Sequence, residues 1–364
     1  MDPNWYHPYR KLLQIPAAVF PAVLLLGLGC VAGPPARGKP LDGIKVICVW
    51  TVEAKDPQAV DRAVEQADSL GFNAVCWDRP GVPEACHERG MKAFSLVNPL
   101  DLREGAQPQV LEPGEELLPG YDGGDIPPAQ LYQYGGEPVK GHREILDQNL
   151  TCPNDPGVLE YTLKRMAQMQ ERGFDGVIWD FIGYRNYHSC ECGLCRQRLA
   201  EFSAGHPELG QEQARSIFYE QVLVDLYNTL YREAKVRAPE LIIANHIHPV
   251  FLPDIFYGHK VRVDYAGITV SWFFTPHWLL GKVRNYTGKV VGGPYVFKEV
   301  EGMPMIGFYA DGEYARDRKN AQRLEQEFGI LRKSGARHLI MCELGHILRD
   351  KGAAGVVRRE LAGE

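Results

Sequence analysis

The sequence of 364 residues predicts an α/β protein whose body is a closed, parallel (β/α)8 barrel. Short apolar runs alternate with stretches of helical period along the body, which indicates a parallel sheet. Eight such runs occur, the number that closes a barrel. The chain also exceeds a typical domain of about 150 residues but suits a barrel of roughly 250 residues with insertions.

Composition agrees with one large folded body. The chain is 45% hydrophobic and 24% charged, which excludes disordered, collagen-like and coiled-coil proteins. Its 40 Lys and Arg stand against 46 Asp and Glu, a net charge of −6 without a basic block, so no nucleic-acid partner is expected. No glycine-rich or P-loop motif follows the first strand, so no nucleotide cofactor is expected either.

Residues 1–29 have the pattern of an export signal. Arg10 and Lys11 precede an uncharged apolar run that ends in small residues before Cys30. This arrangement indicates a signal peptide and resembles that of a bacterial lipoprotein. Cleaved secretion and an uncleaved anchor are the alternatives, because about 18 apolar residues are just long enough to span a membrane. All three predict an exported protein, either anchored in the bacterial cell envelope or secreted, with residues 30–42 as a Pro/Gly-rich tether.

The barrel is predicted to occupy residues 43–364. Its strands are predicted, in order, at 45–51, 72–78, 91–99, 174–183, 241–248, 266–274, 303–312 and 338–345, with 289–297 competing for the seventh place. Helices are predicted at 57–70, 83–90, 155–172, 192–203, 211–235 and 314–334. Residues 100–149 break this pattern with Gly-Gly and Pro-Pro pairs, which indicates an irregular insertion after strand three that covers or rims the mouth.

Acidic and aromatic residues gather where these strands end, at the face that carries the active site in such barrels. Side chains alternate along a strand, so Asp180 is predicted to point into the mouth while Trp179 packs against helices. The same count places Asp78 on the inner side, and Glu343 together with Met341. The sequence therefore predicts carboxylates that converge on one mouth.

Converging carboxylates act as acid and base, or as acid and nucleophile, and glycoside hydrolysis is the commonest chemistry built this way. We expect Asp180 to be the nucleophile or charge stabiliser, Glu343 the proton donor and Asp311 a substitute donor. For Asp78 an ion pair with a neighbouring arginine is an equal alternative. The residues expected to bind a carbohydrate substrate are Trp50, Asp78, Arg185, Asn245, His246 and Trp272.

One stretch carries a family resemblance. It contains Cys-Pro-Asn-Asp-Pro at 152–156, Asp-Gly-Val-Ile-Trp-Asp at 175–180, Arg185, and Cys-Glu-Cys-Gly-Leu-Cys at 190–195. These motifs resemble those of glycoside-hydrolase-like TIM-barrel proteins, which have a D-G-[IV]-x-x-D strand followed by C-x-C-x2-C. The resemblance implies a glycosidase-like barrel with Asp180 in the catalytic position after strand four.

Cys190, Cys192 and Cys195 bring three sulfurs within six residues. The family pattern places Cys152 upstream of the same loop, where it completes a four-thiolate set of the kind that binds structural zinc, with His188 as a substitute fourth ligand. A disulfide or free thiols are the alternatives, because an exported protein meets an oxidising compartment. A site of three or four sulfurs is closed and structural, so no cofactor is expected for catalysis.

Two other functions are compatible with the sequence. A catalytically silent barrel that binds glycans at the cell surface is favoured if a single acid stands among the aromatic residues. A metal-dependent hydrolase would use His246 and His248, which share one strand face, although a polar pair at the mouth is the alternative for them. Three further cysteines, Cys48, Cys76 and Cys342, lie inside predicted strands and are expected to be buried.

Overall fold

Eight parallel strands form the centre of the protein. They are β1 (Lys45–Cys48), β2 (Ala74–Cys76), β3 (Lys92–Val97), β4 (Gly176–Trp179), β5 (Ile242–Ile247), β6 (Tyr265–Ser271), β7 (Glu301–Gly307) and β8 (Leu339–Cys342). Each strand pairs with the next along the chain, and β8 pairs with β1, so the sheet is a closed barrel. The predicted fold class is confirmed.

This computed structural model describes residues 41–50, 52, 57–114, 149–180, 183–186, 188–247, 254, 256–272, 278–308 and 319–362. Several predictions lie outside the described residues: the export signal at 1–29, nearly all of the tether, the middle of the insertion, Asp311 and His248. Within the described ranges, no helix combines the length and the apolar character that a membrane-spanning segment requires.

Helices alternate with the strands. They are α1 (Pro57–Ser69), α2 (Val82–His87), α3 (Val158–Glu171), α4 (Gly193–Gly205), α5 (Gln211–Arg237), α6 (Leu280–Gly292), α7 (Ala321–Lys333), α8 (Leu344–Arg349) and α9 (Lys351–Leu361). The competing strand at 289–297 is wrong, because α6 runs through its first residues. Helix α6 escaped prediction since Gly281 and Gly288 lower its helical propensity.

The alternation of strand residues divides the apolar core into two layers. One layer fills the barrel and contains Cys48, Ile178 and Met305, while Ile47 and Val177 pack outward against the helices. Gly176 shows how tightly the inner layer is filled, because a Cβ there would lie 2.5 Å from the ring of Phe94. Close packing of this kind fixes the strand ends, which is where the candidate site lies.

Glycine ends two of the helices at the point where the chain turns back into the barrel. Gly71 follows α1 and Gly173 follows α3, each with a φ of 88°. An L-residue with a side chain rarely adopts this left-handed conformation, so glycine suits the position after the helix cap. These stops set where β2 and β4 begin, and hence where Asp180 stands.

The two ends of the insertion pair with each other beside the barrel. Antiparallel bridges join Asp101 to Leu150 and Pro108 to Thr151. The N–H of Cys152 also donates to the carbonyl of Gln107 (2.8 Å). The insertion therefore starts and finishes at one place, next to the loop that follows β4.

Candidate active site

Asp180 follows β4 at the C-terminal end of the barrel, and only 7% of the residue is exposed. Its Oδ1 lies 2.7 Å from Nδ1 of His246 on β5. The Nε2 atom of the same ring lies 2.8 Å from Oγ1 of Thr269 on β6. Ile178, two residues before Asp180, belongs to the inner layer, in agreement with the predicted parity. Three neighbouring strands thus contribute one chain of hydrogen bonds at the barrel mouth.

Two tryptophans flank this chain of hydrogen bonds. Trp272, directly after β6, stacks on His246 with ring centroids 6.2 Å apart and planes 19° apart. Trp50, after β1, contacts Trp272 at 6.2 Å. Trp272 is 6% exposed and Trp50 is 41% exposed. A Cβ on Gly307 would lie 2.7 Å from the indole of Trp272, so glycine makes room for that ring. Trp272 is therefore buried in the side of the site, and Trp50 is the aromatic side chain that solvent reaches.

Glu343 follows β8 and is completely buried. Its Oε1 accepts the backbone N–H of His346 (2.9 Å), which caps α8, and its Oε2 accepts the backbone N–H of Trp50 (3.2 Å). Met341 belongs to the outer layer, so placing it on the inner side with Glu343 was wrong. Glu343 reaches the mouth end of the barrel, but its oxygens hold the start of α8 and the backbone of Trp50.

Three thiols lie inside the barrel next to Asp180. Cys48 pairs in register with both Cys76 and Cys342, so the three occupy one level of β8, β1 and β2. Hydrogen bonding to Cys342 and burial raise the pKa of Cys48, while hydrogen bonding to Cys48 and burial raise the pKa of Cys76. Burial raises the pKa of Cys342. The floor of the site is therefore neutral and buried, as the sequence predicted for these cysteines.

Two of the predicted substrate ligands are held by contacts within the protein. Asp78 forms an ion pair with Arg172 (2.7 Å), and Arg165 lies 3.9 Å away, so the predicted alternative of an ion pair with an arginine is formed. Asn245 is completely buried, and its Oδ1 accepts the N–H of Gly267 (2.9 Å). Its neighbour along β5 is the inward-facing histidine, and adjacent side chains point to opposite faces. The expectation that Asn245 lies at the mouth was therefore wrong.

Arg185 is half-buried in the loop between β4 and α4. Its backbone N–H donates to Oε1 of Gln109 (2.8 Å). The Nε2 of Gln109 donates to the carbonyls of Thr151 (3.2 Å) and Gly183 (3.3 Å). Gln109 thus ties the insertion to the loop that follows Asp180. Nothing in the sequence pattern singles out this buried glutamine, because its role depends on contacts between distant segments.

The sulfurs of Cys152, Cys190, Cys192 and Cys195 form a buried cluster in which all four lie within 4.8 Å of one another. We refer to it as the four-cysteine cluster. Cys152 Sγ lies 3.3 Å from Cys195 Sγ and 3.6 Å from Cys192 Sγ, and all four residues are free thiols. Tetrahedral zinc at about 2.3 Å from each sulfur would set the sulfurs about 3.8 Å apart. The cluster therefore has the dimensions that a metal ion requires, whereas the disulfide alternative is not formed.

Each sulfur of the four-cysteine cluster accepts at least one N–H hydrogen bond. The donors are the backbone N–H of Val110 to Cys190 (3.4 Å), of Asn154 to Cys152 (3.4 Å) and of Cys195 to Cys192 (3.4 Å), and the side-chain amide of Asn154 to Cys195 (3.2 Å). Arg198 donates to Oδ1 of Asn154 (2.7 Å) and so orients that amide. Donors of this kind stabilise the negative charge of thiolates and orient metal ligands.

One member of the cluster is biased toward the thiolate. Hydrogen bonds from the thiols of Cys152 and Cys195 lower the pKa of Cys190, with further bonds from the backbone N–H groups of Cys192 and Val110. A metal binds thiolate, not thiol, so this bias suits a metal ligand. His188, the substitute ligand, instead lies 3.1 Å from Glu112 through its Nε2.

A buried charge cluster bonds to Ser271, the residue before Trp272. Glu327 on α7 is completely buried and bonds to Lys319 (2.8 Å), Arg323 (2.8 Å) and the hydroxyl of Ser271 (2.6 Å). Arg323 also donates to the backbone carbonyl of Trp278. Burial lowers the pKa of Lys319 to about 8, against the opposing effect of Glu327. The sequence offered one signal for this cluster, the i, i+4 spacing of Arg323 and Glu327.

Comparisons with known proteins place the fold but no family. No family model matches the chain, and no curated protein matches it. Solved structures share its architecture. The glycoside hydrolase domain of PgaB (BpsB) from Bordetella bronchiseptica superposes with a TM-score of 0.52 at 10% identity, over 86% of this chain and 98% of that chain.

Two further structures agree. The catalytic domain of a β-amylase from Paenibacillus polymyxa has a TM-score of 0.54 at 10% identity, over 89% of this chain and 99% of its own. A β-galactosidase from Rahnella sp. R3 has a TM-score of 0.55 at 11% identity, over 90% of this chain and 58% of its own. The chain thus shares its barrel fold with a glycoside hydrolase domain, a β-amylase and a β-galactosidase.

Proposed function

We propose that the protein is a glycoside-hydrolase-like enzyme that acts on a polysaccharide or oligosaccharide at the mouth of its barrel. One observation carries the proposal: Asp180 presents a carboxylate at the ends of the strands, bonded to His246 and flanked by Trp272 and Trp50. Carboxylates supply the acid, base or nucleophile in glycoside hydrolysis. The fold neighbours are consistent with this chemistry.

Trp50 gives the site a surface for the apolar face of a sugar. It is the most exposed large aromatic side chain of the described residues and stands beside the Asp180 chain of hydrogen bonds. Stacking of a pyranose on its indole would leave the sugar hydroxyl groups for polar side chains. Arg185, in the loop after β4, is the polar residue expected to bind them. Asp180 is then the nucleophile or the charge stabiliser.

The second carboxylate is Glu343 or Asp311. Complete burial and two backbone hydrogen bonds support a different role for Glu343, namely holding the backbone of Trp50. This favours Asp311 as the proton donor. A proton donor matters most for substrates with poor leaving groups. Asp311→Asn should therefore retain activity on an aryl glycoside with an activated leaving group and lose it on the natural linkage, whereas Glu343→Gln should treat the two alike.

The test of the proposed activity uses the purified chain and a panel of bacterial, plant and fungal polysaccharides. Release of reducing ends is measured for the wild type and for Asp180→Asn. We expect hydrolysis of at least one glycan by the wild type, and a loss of about 10³-fold or more in the variant with the fold unchanged. Full activity of Asp180→Asn would refute the glycosidase proposal.

A non-catalytic glycan-binding barrel is the second candidate. The observation that favours it is the burial of Glu343, which leaves Asp180 as the carboxylate of this pair that solvent reaches. The same panel separates the two candidates when glycan binding is measured by calorimetry beside hydrolysis. Binding by the wild type without release of reducing ends would establish the binding function.

The residues before the barrel suggest where the enzyme acts. The apolar run before Cys30 supports export, with a lipid on that cysteine as the membrane anchor and residues 30–42 as the tether of a barrel over 43–364. A carbohydrate substrate of the cell envelope or its surroundings follows from that location. Mass spectrometry of the membrane fraction of cells expressing the full chain would detect a lipid-modified N-terminal Cys30, and an unmodified, intact N-terminus would refute export by this route.

The four-cysteine cluster is a structural zinc site in this proposal. Its sulfur spacing and the N–H donors to each sulfur fit tetrahedral zinc. Bound zinc would cross-link the stem of the insertion, through Cys152, to the loop after β4. The residues that hold it supply no step of the hydrolysis, because four sulfurs leave no open coordination position. Elemental analysis of protein purified without added metal should find about one zinc per chain.

A further inference from the structure

Both ring nitrogens of His246 form hydrogen bonds with other residues of the protein. Nδ1 faces Asp180 Oδ1 at 2.7 Å, and Nε2 faces Thr269 Oγ1 at 2.8 Å. An imidazole has two nitrogens and no other polar atom. His246 therefore has no nitrogen left for a sugar hydroxyl, and the sequence-based expectation that it binds substrate does not fit its contacts.

Packing fixes the plane of the imidazole, in addition to the hydrogen bonds at its two nitrogens. His246 stands opposite Gly267 in the register of β5 and β6, and Thr269 lies two residues further on the same face. The ring stacks on Trp272 at an angle of 19°, and the residue is 8% exposed. A buried ring held at two atoms and on one face has a single orientation to offer Asp180.

The contact also distinguishes the two oxygens of Asp180. Oδ1 shares a hydrogen bond with Nδ1 of His246, which leaves Oδ2 as the oxygen that is not committed to the imidazole. Positioning of this kind matters because a reacting group misplaced by 1 Å loses about 10²-fold in rate. Thr269 contributes one step further away, since it holds the far end of the ring.

We propose that His246 is the positioning residue of Asp180, that Thr269 in turn orients His246, and that Oδ2 of Asp180 is the oxygen presented to the sugar. This inference rests on the proposed hydrolysis for its kinetic consequences but not for the contact itself. His246 makes no contact with substrate in this account. Its loss therefore lowers kcat and leaves KM nearly unchanged.

Two amide variants of His246 test the contact at atomic level. Asparagine places its side-chain nitrogen near the position of Nδ1, so His246→Asn keeps a donor for Asp180. Glutamine is longer and places its nitrogen nearer the position of Nε2, so His246→Gln keeps the Thr269 end instead. We expect kcat to fall about 10-fold in His246→Asn and about 100-fold or more in His246→Gln, with KM within about 3-fold in both. A higher KM with unchanged kcat, or equal losses in the two variants, would overturn the proposal.

A double-mutant cycle tests the role of Thr269. Thr269→Val keeps the shape of the side chain and removes the hydroxyl, and we expect it to lower kcat about 10-fold in the wild type. In the His246→Asn background the same substitution should have no effect, because asparagine has no atom at the Nε2 position. Additive losses would show that Thr269 acts independently of His246, and that part of the proposal would fall.

Nitrogen-15 NMR of the imidazole side chains gives a readout that needs no activity. We expect an Nδ1–H signal of His246, assigned by its absence in His246→Asn, that shifts when Asp180 is replaced by asparagine. If the wild type hydrolyses no glycan but this signal responds to Asp180→Asn, the proposed function fails and the positioning contact stands. If the signal is absent or does not respond, the positioning of Asp180 by His246 is refuted whatever the activity.

Discussion

Asp180 and Glu343 occupy corresponding places in the barrel, one directly after β4 and the other directly after β8, yet their surroundings differ. Asp180 bonds to the side chain of His246 and is 7% exposed. Glu343 bonds to two backbone N–H groups and is completely buried. A strand-end position thus brings an acid to the mouth end of a barrel, but the hydrogen-bond partners differ: a side chain for Asp180 and the backbone for Glu343.

The largest expected effect on stability comes from disrupting the four-cysteine cluster, which lies beside the loop that follows Asp180. In the proposed zinc site the four-cysteine cluster holds the loop after β4, so Cys195→Ser should release the metal and lower the free energy of unfolding by about 3 kcal/mol or more. Metal content and denaturant unfolding measure this. Cys86→Ser is the matched control, because Cys86 is also buried but lies on α2, outside the cluster. Retention of metal by Cys195→Ser, or loss of it by Cys86→Ser, would contradict the assignment.

Glu327 is a third buried acid, and its partner Lys319 allows a test by the pH dependence of stability. Burial lowers the pKa of Lys319 beside Glu327 to about 8, whereas an unfolded lysine titrates near 10.4. Between these values the unfolded chain binds the proton that the folded chain has released, so this group makes stability rise with pH. The wild type should gain about 1.5 kcal/mol over Lys319→Met between pH 8 and 9.5 in denaturant unfolding. A constant or shrinking difference would show that Lys319 stays charged in the fold.

The smallest expected effect concerns Trp50, which contacts both Glu343 and Trp272. Its backbone N–H binds Glu343, and its ring contacts Trp272. Trp50→Ala keeps the backbone bond and removes the exposed ring, so KM should rise about 5- to 10-fold, roughly 1 kcal/mol, with little change in kcat. Trp50→Phe should keep most of the affinity. An unchanged KM in Trp50→Ala would remove this ring from the substrate site.

Much of this architecture could be predicted from local pattern. The eight strands follow from short apolar runs, and the inner face of β4 follows from alternation, since Gly176 and Ile178 precede Asp180 by even steps. Alternation also separates Asn245 from its neighbour His246, although both were expected at the mouth. Applying the same rule to β5 would have kept His246 and excluded Asn245.

What escaped prediction depends on contacts between distant segments. Alternation of side chains, counted from Glu343, placed Met341 on the inner side of β8, but Met341 lies in the outer layer. The bond between Gln109 and the loop after β4, and the one between Thr269 and His246, join residues far apart in the chain and leave no trace in periodicity. Cys152 was placed by the family pattern, not by its spacing, and its sulfur does lie with the other three.

The most direct test of the difference between the two acids replaces each by its own amide. In Asp180→Asn we expect kcat to fall about 10³-fold or more with the free energy of unfolding unchanged within about 1 kcal/mol. In Glu343→Gln one oxygen becomes a donor that meets a backbone N–H, so stability should fall by about 1–3 kcal/mol while kcat stays within about 10-fold. The opposite result, an inactive but fully stable Glu343→Gln beside an active Asp180→Asn, would contradict the account.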